Sequence, residues 1–180
     1  MSHTLDQTIA QRRSIRSYDA AQPVSADELR QLIAAAIEAP TWKNSQTGRY
    51  HIACSAEAMQ KVMQTMPEFN QNSCRGAQAL IVTTFKHNRA GFERTGEPTN
   101  ELGNGWGCYD LGLQNALLLL KAADLGLDTL VLGIRDAEAL RAALDIPADE
   151  TVVSIIAVGH RAADAARPKR KEVADVARFL

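Results

Sequence analysis

Apolar residues recur at helical spacing in five stretches of this chain and form short extended runs in four others. Leu5 and Ile9, four apart, predict a first helix that runs to about residue 13. Ser25-Ala26-Asp27-Glu28 reads as a capping box, in which serine and glutamate satisfy each other's orphan amides. The helix that follows carries Leu29, Leu32, Ile33, Ala36 and Ile37 on one stripe and must stop before Pro40. Residues 41–49 are polar and predict a loop, and residues 50–54 a short strand. Met59, Val62, Met63 and Met66 form the stripe of a helix over residues 56–66, a core-packing pattern rather than a ligand set.

Residues 79–85 and 152–158 are continuous β-branched and apolar runs, as interior strands require, and residues 129–132 predict a further strand. Asp136 caps a helix reaching about residue 144. Between these elements, residues 111–127 are apolar around nearly the whole helical circumference, with Gly126 placed to end the helix at C′. Gln114, Asn115, Lys121 and Asp124 interrupt the run, which is also too short to span a bilayer. A helix apolar all round must be covered on all sides, and in so small a chain a second copy is the simplest cover. Residues 86–105 are polar and aperiodic, a length that in a compact domain is usually functional or mobile. The reading is one domain over residues 1–180 with helices and strands mixed. It opens with two helices and has no GxGxxG or GxxxxGK[ST], which argues against a doubly wound nucleotide fold.

Composition narrows the function classes. The chain is 46% hydrophobic and 23% charged, with a formal net charge of −1, so neither bulk nucleic-acid binding nor attraction to an anionic membrane is favoured. The three cysteines are odd in number and unpaired in spacing, and the four histidines offer no metal pattern, so no metal is expected. The cysteines read as small buried or half-buried hydrophobes in a reducing cytoplasm, and the opening residues lack the features of a secretory leader.

Against that neutral background, three segments are rich in cations and amides. Arg12-Arg13-Ser14-Ile15-Arg16-Ser17-Tyr18 packs three guanidinium groups and two hydroxyls beside an aromatic ring, a donor set suited to phosphate. Residues 39–46, APTWKNSQ, follow a helix, and residues 167–171, RPKRK, lie near the end. Each alone could be a solvated loop. Together, with Leu125-Gly126-Leu127-Asp128-Thr129 and Ile156-Ala157-Val158-Gly159-His160, they resemble the FMN-dependent nitroreductase family in order over essentially the whole chain.

That resemblance implies an α+β fold, a nitroreductase-like α/β/α sandwich with a mainly antiparallel sheet flanked by helices. It implies an intertwined homodimer with FMN at the interface and NAD(P)H as co-substrate. Arg12, Ser14 and Arg170 would hold the FMN phosphate with help from Arg13 and Lys169, and Arg16 would approach the N1/O2 edge of the ring. Pro40, Thr41, Trp42, Asn44 and Gln46 would reach the flavin bound mainly by the partner chain. Asn70 would meet the pyrimidine edge, and Leu132 and Gly133 would offer backbone N–H groups to N5. Hydride would pass from NAD(P)H through N5 to a nitroaromatic, quinone or related small-molecule acceptor, with no side-chain nucleophile required.

The chain also departs from the family pattern. Gln46-Thr47-Gly48-Arg49-Tyr50 lacks the usual proline and tryptophan, a bulky Trp42 stands where a small serine is common, and the 86–105 stretch is short. These departures keep two alternatives open: a flavin carrier with little reductase activity, and a family branch with other flavin chemistry.

Overall fold

The computed structural model describes residues 4–180; His3, one of the four histidines, lies outside the described residues. Four strands form one antiparallel sheet in the order β1-β2-β4-β3: β1 (Gly48–Ala53), β2 (Ala79–Lys86), β3 (Asp128–Leu132) and β4 (Glu150–Gly159). Helices α2 (Ala26–Ile37) and α5 (Gly105–Asp124) cover one face, and α3 (Ala56–Met63) and α6 (Ala137–Ala143) the other. The architecture is the α/β/α arrangement expected.

Two cores explain why the central strands read as unbroken apolar runs. Leu80 and Val82 of β2 join Val62, Leu140 and Ile155 in one core. Their neighbours Ala79 and Ile81 join Leu29, Leu32, Leu118 and Ile156 in the other. Side chains alternate across a strand, so burial of both faces removes the polar alternation of a half-solvated sheet.

The helices begin where their caps predict. Ser25 Oγ accepts from the Glu28 amide at 3.1 Å while Glu28 Oε2 accepts from the Ser25 amide at 2.7 Å. α1 (Leu5–Gln11) starts at a second capping box on Thr4. The methionine stripe of α3 packs into the first core, as its spacing predicts. Gly126 closes α5 with φ +76°, a left-handed value that suits glycine.

Three expectations need correction. β1 begins at Gly48, two residues earlier than its apolar pattern, because Gly48 and Arg49 pair with Phe85 and Thr84 of β2. Gly48 lies against the Gln114 side chain of α5, whose Oε1 would sit 1.9 Å from a Cβ there and would have to shift to admit one. A short helix, α4 (Glu68–Ser73), follows Pro67; its sequence EFNQNS has no apolar period to announce it. Cys54 and Cys108 are exposed and only Cys74 is buried, so two of the three cysteines are not core residues.

Among the described residues, no helix is long and apolar enough to cross a membrane, and no cluster of three metal-ligating side chains occurs. The last helix, α7 (Val173–Val176), lies in a tail whose Val173, Val176, Phe179 and Leu180 are all exposed.

Candidate active site

The arginine heptad is held by its two apolar members. Ile15, 1% exposed, is buried in the first core, and its amide donates to the Thr129 carbonyl at 3.0 Å, so Ser14 pairs with Thr129 beside β3. Tyr18, 5% exposed, is fixed by its amide on Arg75 and by a bridge to Arg161. With Ile15 and Tyr18 turned inward, Ser14 and Arg16 stay exposed and Arg12 and Arg13 half-buried.

That placement brings the two basic ends of the chain together. Arg12, Arg13, Ser14 and Arg16 share a cavity of about 300 Å³ with Ala165, Ala166, Pro168 and Arg170. Four guanidinium groups and one hydroxyl line it, and no carboxylate does. Arg13 turns one nitrogen onto the Ala10 and Arg12 carbonyls at 2.7 and 2.8 Å, and Arg16 reaches the Ser14 carbonyl at 3.3 Å. Carbonyls orient these cations without neutralising them, so their charge stays available to a dianion. Lys169 is exposed and does not border the cavity.

A neighbouring hollow of about 280 Å³ also touches Arg12 and Arg13 but is of a different kind. It contains the fork of Arg161 on Asp128, with Nη2 to Oδ1 at 2.7 Å and Nε to Oδ2 at 3.0 Å. The hydrogen bonds to Asp128 hold Arg161 above its usual range, and the pair is internally compensated. The Arg12–Arg170 cavity is where anionic charge is missing.

The other expected site residues fall into two groups. Asn70, on α4, donates Nδ2–H to the Ile134 carbonyl at 2.9 Å, tying it to the segment that leaves β3. There Leu132 is buried while Gly133 is exposed, with nothing within 4 Å of where its Cβ would be. Asn70 and Gly133 therefore lie close in the fold, 63 positions apart in the sequence.

The 40–46 loop does not border the arginine cavity of its own chain. Trp42–Asn44 forms a tight 3-10 turn, and Lys43, Asn44 and Gln46 all have positive φ, between 46° and 55°. Left-handed backbone at non-glycine residues costs energy and clusters at ligand-binding loops. The Trp42 amide donates to Asp110 Oδ2 at 2.9 Å, the Gln46 amide to Thr41 Oγ1 at 3.1 Å, and Gln46 Nε2 to Asn44 Oδ1 at 3.1 Å. Trp42 packs on Trp106 with ring centroids 4.5 Å apart. Pro40 enters this loop exposed, straight after α2.

Asp110 is a member of this assembly that sequence reasoning missed. It is 3% exposed on α5, and burial raises its carboxyl above the usual range while the Trp42 amide opposes that shift. Its one signal was a carboxylate in the first turns of a largely apolar helix.

The sequence profile of the nitroreductase family matches residues 9–73 and 56–160. The chain belongs to the nitroreductase family. It is 26% identical to Protein DrgA of Synechocystis sp. over 185 residues, covering 90% of this chain and 86% of that protein. It is 32% identical over 81 residues to the Bacillus subtilis protein named "Putative NAD(P)H nitroreductase YdgI", a match to 45% of this chain but only 38% of that relative's length. Among solved structures, the Exiguobacterium sibiricum protein named "a putative nitroreductase in complex with FMN" superposes with a TM-score of 0.82 at 21% identity, covering 100% of this chain and 99% of that one.

Proposed function

We propose that this nitroreductase-family chain is an FMN-dependent oxidoreductase that works as a cytoplasmic homodimer, passing reducing equivalents from NAD(P)H to nitroaromatic, quinone or related acceptors. The observation that carries this reading is the Arg12–Arg170 cavity, whose four guanidinium groups and single hydroxyl fit a phosphate monoester and nothing cationic. The family profile and the FMN complex of a solved relative with the same fold support it.

In this reading Arg12, Ser14 and Arg170 hold the phosphate, Arg13 assists from the end of α1, and Lys169 adds charge at longer range. Arg16 sits at the electron-rich N1/O2 edge, where a fixed cation favours the reduced flavin. Asn70 orients the pyrimidine edge, while Leu132 and Gly133 present backbone amides to N5. Pro40, Thr41, Trp42, Asn44 and Gln46 close over the flavin of the partner chain. The bound flavin supplies the two-electron chemistry, so the protein's part is to position, polarise and exclude water.

Purified protein should be yellow and should bleach anaerobically on addition of NADH or NADPH. Substituting Arg12→Ala together with Arg170→Ala should weaken FMN binding about a hundredfold or more, because each charge-assisted hydrogen bond to the phosphate contributes roughly 1.5 kcal/mol. A protein that takes up no added FMN refutes the proposal. A yellow protein that neither nicotinamide bleaches supports the second reading, a flavin carrier, which the bulky Trp42 favours.

A further inference from the structure

A second cavity, of about 600 Å³, lies between residues 42–49 and residues 86–96 and shares no lining residue with the Arg12–Arg170 cavity. Five cations line it, Lys43, Arg49, Lys86, Arg89 and Arg94, against one carboxylate, Glu93. On a chain of net charge −1, that is a strong local concentration. Lys43 Nζ lies 3.4 Å from Glu93 Oε1 and Lys86 Nζ 2.7 Å from Asp149 Oδ2, so two of the five are compensated. Arg49 meets only the carbonyls of Gln46 and Gly48, at 2.9 and 2.7 Å. Arg89 and Arg94 are exposed and have no carboxylate partner among the described residues.

Two aromatic rings complete the wall. Trp42 and Phe92 border the cavity. Trp42 Nε1, Ser45 Oγ and Thr47 Oγ1 belong to lining residues but lie behind the cavity surface, shielded from solvent, and have no hydrogen-bond partner among the described residues. Thr47 is 3% exposed, and buried polar side chains without partners are uncommon in native structures. A volume of this size exceeds what a bare phosphate needs and suits a ring with substituents.

We propose that this cavity binds a small aromatic molecule carrying a carboxylate or phosphate, with Arg49, Arg89 and Arg94 as the anion contacts and Trp42 and Phe92 as the ring's walls. The binding claim stands on these residues alone, whereas naming the ligand as the enzyme's second substrate rests on the flavin reading above.

Calorimetric titration of the FMN-loaded protein with two matched pairs tests the proposal: 4-nitrobenzoate against neutral 4-nitrobenzamide, and NADP⁺ against NAD⁺, which differ by one phosphate. The member with the greater negative charge in at least one pair should bind about tenfold more tightly, and the combined R89Q and R94Q substitutions should erase that preference. Affinity for 4-nitrobenzamide and FMN content should not change. The pair that responds tells whether a carboxylate or a phosphate is read. Equal binding within both pairs, or a preference that survives both substitutions, overturns the inference. FMN uptake is read before the titrations: a protein that takes up no added FMN counts against the flavin reading, and the same titrations on that protein still decide the cavity.

Discussion

Arg12, Arg13 and Arg16 share a heptad but not a circumstance. Arg13 is drawn back onto the carbonyls that end α1, Arg12 is half-buried in the cavity wall, and Arg16 is exposed with one hydrogen bond to the Ser14 carbonyl. The Ile15 side chain between them is in the core, so neither flanking residue can turn inward. This division of labour makes Arg16 the member whose removal should spare binding and change the flavin's energetics. Arg16→Ala in the FMN-loaded protein should lower the two-electron midpoint potential by about 30 mV, the equivalent of roughly 1.4 kcal/mol less stabilisation of the reduced form. A spectroelectrochemical titration measures this directly, and an unchanged potential would remove Arg16 from the N1 edge. The heptad's chemistry was legible from residue types alone. That Arg170 rather than Lys169 meets them came only from the family resemblance, because adjacent residues of an irregular tail have no periodicity to orient them.

At the scale of elements, α5 does more than fill the core. Gln114 packs against Gly48 and Asp110 holds the Trp42 amide, so one helix contacts both ends of residues 42–48. The Asp110 carboxyl carries a pH signature. Burial raises its folded-state value above the ordinary 3.8, so its contribution to stability is complete below 3.8 and is lost as pH rises through the folded value. Asp110→Asn retains an acceptor for the Trp42 amide and cannot ionise. The variant should gain on the wild type as pH rises above 3.8, then stay level once Asp110 has ionised in the folded protein. Urea melts across that range test it, and a gap independent of pH would mean the carboxylate is tolerated there without cost. The capped helices and central strands were legible in the sequence because their periods are set by local geometry. α4 was not legible, since one and a half polar turns after a proline depend on the packing around them.

For the molecule as a whole, the apolar surface is not fully covered by one chain. Leu5, Ile9 and Ile37 are exposed at 66%, 53% and 58%. Leu117 and Leu120 of α5 line an open groove with Leu5, Thr8 and Ala35. The all-round apolar pattern of α5 therefore exceeds what the chain's own core uses, and a second copy is the cover that the family reading proposes. Leu117→Asp with Leu120→Asp should convert a species of twice the chain mass into one of single mass, while circular dichroism stays native. Because the proposed flavin site takes its 40–46 loop from the partner, the same variant should also lose FMN. A dimer that survives both substitutions would place the interface elsewhere.

The residue pattern alone determined the helices with caps and stripes, the buried strands, the local surplus of cations and the class of anion they suit, because each depends on spacing along the chain or on the chemistry of a side chain. Residue types and spacing did not say which cations meet; the family resemblance implied it for Arg12 and Arg170, and tertiary structure decided the rest. Arg12 and Arg170 line one cavity, Asn70 touches the segment after β3, and Arg49, Arg89 and Arg94 line another cavity. Those meetings follow from strand order and from which residues the two cores draw inward, and no local spacing encodes either.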